Sequence, residues 1–342
     1  MASQRVDAAQ GQPAALRRGG QLLGLRELTL VPVIVLVIVI GAFASDAFLT
    51  TDNLLNILQQ SSELSVVVIA ETLILLAGKF DLSLESVVGL APMLGAWLII
   101  KNVDVGGSGV GLAWWLAIPV VLLTGAVVGA INGFLIVRLR LNAFIVTLAM
   151  LIALRGLQLA IVGGATISNL ANRLPTIDYL GSLRFLTLPL SIWIVIICFG
   201  VGIVVLGYTR VGRSLYAVGG NAAAARAAGI RVERVVWITL IVAGMLAAFA
   251  GLMHTPRLGS VAANQGNGMI FTVFAAAVIG GISLDGGKGS LFGALTGVIL
   301  LGLIQNVLTL AQVKADQIQA VNGLVILVAL VLARLTSGKA QD

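Results

Sequence analysis

Ten apolar runs joined by short polar connections constrain this chain more than any other feature. They lie at about 28–43, 54–77, 84–101, 113–137, 142–162, 187–208, 235–254, 270–283, 290–311 and 319–335. About 20 apolar residues in a helix cross the roughly 30 Å core of a bilayer. In lipid the backbone must satisfy its own hydrogen bonds, so such runs fold as helices. The sequence therefore predicts an all-α fold, a polytopic transmembrane bundle of about ten spans. The run at 270–283 is short and carries Gly280 and Gly281, which predicts a broken or tilted element there.

Composition enters as an exclusion. Of 342 residues, 59% are hydrophobic and 10% charged. A soluble domain carries about 25% charged residues. An ordinary soluble enzyme, a disordered chain and a coiled coil are excluded. A single cysteine, Cys198, excludes a disulfide scaffold. The first apolar run is longer than the roughly 7–15-residue core of a signal peptide and many spans follow, so it reads as an uncleaved span.

The formal charge of +7 would suggest nucleic acid in a soluble protein. Here the basic residues sit between spans and report orientation instead. With the N-terminus inside, fifteen of the 21 Lys and Arg fall on inner segments. Lys101, Arg173, Arg184, Arg257 and Lys314 fall outside, and Arg155 lies within a span. That bias predicts both termini in the cytoplasm and no nucleic-acid partner. The expected organisation is a basic cytoplasmic tail at 1–27, a membrane domain at 28–335 with an inner loop at 209–234, and a cytoplasmic tail at 336–342.

The motifs mostly speak of packing. Gly125, Gly129 and Gly133 recur every four residues, as do Gly293 and Gly297. Small residues at that spacing bring two helix backbones together in lipid. Gly286-Gly287-Lys288-Gly289-Ser290 imitates a phosphate loop, but the Walker pattern needs glycine where Ile282 stands and Ser or Thr where Gly289 stands. The chain therefore holds no ATP site, and Lys288 reads as an inner-loop anchor. There is one histidine, His254; a zinc site needs three or four ligands, and a Ser-His-Asp arrangement could be composed only by choosing partners freely. No catalytic residue, metal or cofactor is expected in this chain.

Ionisable residues at membrane depth are costly and frequently functional. Glu71 and Arg155 are the deep ones, and Lys79, Asp81 and Glu85 flank Leu82-Ser83-Leu84. Two readings compete. One is a polar substrate path through Glu71, Asp81, Ser83, Asn132, Asn306 and Asn322. The other is internal pairing, such as Glu71 with Arg155 or Lys79 with Asp81.

The inner loop is the most informative stretch. Gly219-Gly220-Asn221 predicts a break, with Asn221 capping a short helix over 222–228 and Gly229 closing it. The alanines Ala222 to Ala225, with Arg226, would offer a smooth surface for docking into a groove. The plainer reading is a mere connector.

Seven short words run in order across roughly 50–335. They are Asp81-Leu82-Ser83, Asn132-Gly133, Phe144-Ile145-Val146-Thr147-Leu148, Arg155-Gly156-Leu157, Gly219-Gly220-Asn221 through Gly229-Ile230, Val278-Ile279-Gly280-Gly281 through Gly289, and Gly323-Leu324-Val325-Ile326. In these words the chain resembles the permease subunits of ribose-type ABC sugar importers, relatives of the branched-chain amino-acid permeases. It departs from the family at Lys79-Phe80 and at Glu85, where glycine is usual.

The resemblance implies a multi-pass protein of the bacterial cytoplasmic membrane, without enzymatic activity. It implies an ATP-binding cassette subunit that supplies ATP and magnesium chemistry, an extracytoplasmic solute-binding protein, and a second permease copy in a homodimer or heterodimer, all set in membrane lipid. It makes Gly219, Gly220, Asn221, Ala222, Ala225, Arg226, Gly229 and Ile230 the ATPase-coupling loop. A bulky charge at Ala225 is expected to uncouple hydrolysis from uptake and leave the fold intact. The rival class is an ion-coupled secondary transporter using Glu71 and Asp81.

Overall fold

The computed structural model describes residues 30–103, 106–168, 170 and 183–314, with isolated positions between 317 and 331. Helices dominate them. In chain order they are α1 (Val31–Ala44), α2 (Thr51–Leu76), α3 (Leu84–Ile99), α4 (Ala117–Gly133), α5 (Ala143–Ile161), α6 (Leu190–Tyr208), α7 (Arg210–Gly220), α8 (Ala222–Ala227), α9 (Val232–Leu258), α10 (Met269–Ile279) and α11 (Leu291–Leu310). A two-residue hairpin, Arg184–Phe185 with Leu188–Pro189, precedes α6.

Nine of the ten predicted runs coincide with α1–α6 and α9–α11. The tenth, at 319–335, lies largely outside the described residues, as do both tails. Among the described residues, six helices are long and apolar enough to cross a membrane: α2, α4 with its flanking turns, α5, α6, α9 and α11. The other three are shorter. The 11 residues of α10 reach about 17 Å at 1.5 Å each, half a bilayer core. This is the broken element expected at 270–283.

Polar caps set the helix starts. Thr50, Asn142, Thr209, Asn221 and Ser290 each accept a backbone N–H of the following turn. These side chains satisfy donors that a helix leaves free.

Helix α9 is the hub and crosses α4, α2 and α3. Its contact with α4 depends on the predicted glycines. A Cβ on Gly125 would strike the Gly244 carbonyl, and one on Gly133 the Trp237 ring. Trp237 Nε1 donates to the Ala130 carbonyl at 3.1 Å. Gly293 and Gly297 meet Gly280 and Ala276 in the same manner. Ile145, Ile152, Ile197 and Val201 stay exposed on α5 and α6, the pattern of helices whose solvent is lipid.

Candidate translocation cavity and coupling loop

A cavity of about 210 Å³ opens between α2, α10 and α11. Its polar wall is Gln60, Ser61, Glu63, Thr272, Gln305 and Asn306, and Ile57, Leu64 and Met269 supply apolar surface. Ser61 stands about 15 Å from the Thr51 end of α2, near mid-helix. Polar side chains at that depth face the bundle interior or a water-filled space, because lipid would leave them unpaired.

The wall is held from behind. Asn53 and Asn306 exchange amide hydrogen bonds at 3.0 and 2.8 Å, and Asn53 also donates to the Phe48 carbonyl at 2.8 Å. This fixes α2 against α11. Glu63 pairs with His254 Nδ1 of α9. Sequence reasoning points to Asn306 but misses Gln60, Ser61, Glu63, Thr272, Gln305 and the partner of His254. A sign is present: the first half of α2 is polar for a span, with Asn53, Asn56, Gln59, Gln60, Ser61, Ser62 and Glu63.

Glu71, Asp81, Ser83 and Asn132 are all buried, and none lines the cavity. Asp81, Ser83 and Asn132 form a packed knot. Asp81 Oδ1 accepts from Ser83 N at 2.8 Å and from Ser83 Oγ at 2.5 Å. Asn132 Nδ2 of α4 donates to Ser83 Oγ at 2.8 Å and to Asp81 Oδ2 at 3.3 Å. The Asp-Leu-Ser word therefore shapes the corner between α2 and α3 and ties it to α4. Asn322 lies outside the described residues.

Arg155 pairs with Glu85, at 3.0 Å, and not with Glu71. The same guanidinium donates to the Gln265 carbonyl at 2.7 Å. The second Glu85 oxygen accepts from Ile270 N at 3.2 Å. A carboxylate on α3 thus covers the first turn of α10, where helix N–H groups favour negative charge. Glu85 thereby anchors the short helix. Lys79 makes no ion pair with Asp81 among the described residues.

The inner loop matches its sequence reading in outline. Asn221 has extended backbone, and its Oδ1 accepts from Ala224 N at 2.9 Å. Helix α8 follows. Gly229, at φ +84°, closes it, with Gly229 N donating to Arg226 O and Ile230 N to Ala225 O, both at 3.0 Å. Arg226 is bound to Glu233 at 2.7 Å on the surface.

Two particulars differ. Gly219 and Gly220 do not break the chain; they end a helix, α7, whose apolar side is Leu215 and Val218. The break is at Asn221 alone. And Ala225 is 4% exposed, inside the main core, so a bulky charge there would disrupt folding. The outward face of α8 is Ala222, Ala223, Ala224, Arg226 and Ala227.

Gly219 has a special place. A Cβ there would collide with the Leu76 carbonyl and meet Gly287 N. Gly287 N itself donates to that carbonyl at 3.0 Å. Gly78 (φ +70°) and Gly286 (φ +87°) crowd the same point. Tyr216 of α7 donates to the Gly289 carbonyl at 2.9 Å. Three segments meet here through bare backbone: the end of α2, the end of α7, and the loop between α10 and α11. The glycines that imitate a phosphate loop are needed for these turns and this approach.

The chain matches the family described as the branched-chain amino acid transport system permease component over residues 53–333. It is 33% identical to the ribose import permease protein RbsC of Escherichia coli K12, covering 90% of this chain and 93% of that protein. The Bacillus subtilis 168 ribose import permease RbsC is 34% identical, covering 88% and 91%. The autoinducer 2 import system permease protein LsrC of Klebsiella pneumoniae is 36% identical, covering 91% and 87%. No solved structure matches the chain. The glycine junction, the capped loop helix and the mid-bundle cavity are therefore features of a member of the branched-chain amino acid transport system permease component family.

Proposed function

We infer that this chain is the membrane-spanning permease subunit of an ATP-driven importer for a sugar or sugar-like solute. Ten spans, cytoplasmic termini, ATP and magnesium on a separate ATPase, an extracytoplasmic solute-binding protein and a second permease copy complete the reading. The whole-length likeness to ribose import permeases supports the solute class.

One observation carries the mechanical part: the backbone junction of Leu76, Gly219 and Gly287. Helix α8 projects from α7 beyond this junction and offers small side chains to a partner. At the junction, α7 touches the end of α2 and the loop joining α10 to α11. Those last three helices surround the cavity. A push on α8 therefore reaches the cavity wall through rigid elements that meet without intervening side chains. Asn306 stands on that wall. Asp81, Ser83 and Asn132 hold the frame around it through their mutual hydrogen bonds, and Glu71 is buried within that frame.

An ion-coupled carrier would need Glu71 and Asp81 to exchange with water. They are 0% and 1% exposed. The test is isolation of the tagged protein from its native membrane in mild detergent, after crosslinking. A stoichiometric ATPase in the eluate supports the importer; uptake that follows an ion gradient and ignores ATP refutes it.

A further inference from the structure

The turn between α4 and α5 stands beside the start of α9. The row Trp237, Ile241, Gly244 and Ala248 of α9 packs on Gly133, Gly129 and Gly125 of α4. Arg234, three residues before Trp237, continues that row towards the turn. Helix α4 runs on as a five-residue π-helix, Phe134–Arg138, with Leu139 N donating to the Phe134 carbonyl at 3.1 Å. Arg140 follows at φ +58°, a region that residues other than glycine seldom enter. Arg140 lies within electrostatic reach of Glu233. Arg138, Arg140 and Arg234 are thus gathered at one place, and all three are exposed.

Their level is set by their apolar neighbours. Phe134 and Ile238 are exposed about one turn inward of Arg138 and Arg234, and Phe144 and Ile145 are exposed in the first turn of α5. On three helices the lipid-facing surface therefore gives way to arginine at the same depth, where headgroups lie. Leu139 and Leu141, also exposed, alternate with the two arginines of the turn. The two connections carry five arginines, Arg138, Arg140, Arg226, Arg231 and Arg234, against one acid, Glu233. Arg226 takes that acid in an ion pair, and the positive excess remains.

We propose that the α4–α5 turn and the start of α9 form a site for the headgroup of an anionic phospholipid, its phosphate met by Arg138, Arg140 and Arg234. Clustered basic residues at the membrane surface attract anionic lipid. The guanidinium fork matches the oxygens of a phosphate. Leu139 and Leu141 enter the acyl region beside the headgroup. These exposed apolar side chains favour a lipid over the acidic face of a protein partner.

The experiment gives the full chain, purified in mild detergent, phosphatidylglycerol or phosphatidylcholine with the same acyl chains. Native mass spectrometry counts the lipid retained. Phosphatidylglycerol should be held at least about tenfold more tightly. The triple variant Arg138→Gln, Arg140→Gln, Arg234→Gln should lose most of that preference. Arg210→Gln with Arg213→Gln removes two exposed arginines at the start of α7 and should leave it within about twofold. Arg140→Gly should keep or raise the melting temperature, because glycine accepts a positive φ, and should still weaken retention. Glycerol 1-phosphate, a headgroup without chains, should not displace the lipid. No preference in the unaltered chain, an unchanged preference in the triple variant, an equal loss in the Arg210 and Arg213 variant, or displacement by glycerol 1-phosphate would each overturn the proposal. Loss of a co-purifying protein from the triple variant, with its lipid preference intact, would assign the arginines to that protein instead. The lipid readouts need neither ATPase nor solute, so they stand apart from the importer reading.

Discussion

Gly219 and Leu76 share one point of backbone contact: the Leu76 carbonyl occupies the space where a side chain at 219 would begin. The same carbonyl accepts from Gly287 N at 3.0 Å. Three segments distant in sequence are thereby joined without side chains, which leaves no slack between the loop helix and the cavity helices.

Gly219→Ala is expected to damage the protein, because overpacking against fixed backbone costs about 1–3 kcal/mol. Gly220→Ala is the control. Nothing lies within 4 Å of a Cβ there, and alanine is the better helix former. Thermal unfolding in detergent should show a clear fall for the first and no fall for the second.

Asn221→Ala removes the cap of α8 and should cost about 1 kcal/mol, while Asn221→Asp should keep most of it. Hydrogen exchange over 222–228 reads this directly. Faster exchange confined to those amides in the alanine variant is the expected pattern.

The Arg155–Glu85 pair is 16% and 5% exposed. Removing one partner from such a pair leaves an uncompensated charge and costs about 3–5 kcal/mol. Arg155→Met alone should therefore be severe. Arg155→Met with Glu85→Gln should recover a substantial part, a coupling that a double-mutant cycle in thermal stability measures.

Both carboxylate oxygens of Glu71 are buried without a hydrogen-bond partner among the described residues. A buried polar group in that condition destabilises its surroundings. Glu71→Met should leave thermal stability unchanged or raise it, and should retain uptake in membrane vesicles. Abolished uptake in a folded variant would favour the ion-coupled carrier.

The helices are legible in the sequence because lipid allows a long apolar run only one backbone solution. Asn221 and Gly229 are legible because capping is local chemistry. Pairings are not. Arg155 has several acids within sequence reach, and only the approach of α3 to α5 selects Glu85 over Glu71. The cavity is hidden for the same reason. Gln60, Thr272 and Gln305 come from three helices, and their convergence is a tertiary fact. The run from Arg210 to Gly220 reads as loop because its glycines mask the spacing of Leu215 and Val218.

The most direct test of coupling compares Ala224→Glu with Ala225→Glu. Ala224 is exposed in the first turn of α8, where an acid favours the helix; Ala225 is 4% exposed. The measurement is ATP hydrolysed per solute imported in vesicles holding the permease, its co-purified ATPase and its binding protein. The account predicts that Ala224→Glu keeps its thermal stability and raises that ratio at least about tenfold, while Ala225→Glu fails to fold. Normal uptake at a normal ratio with Ala224→Glu would contradict the role assigned to α8.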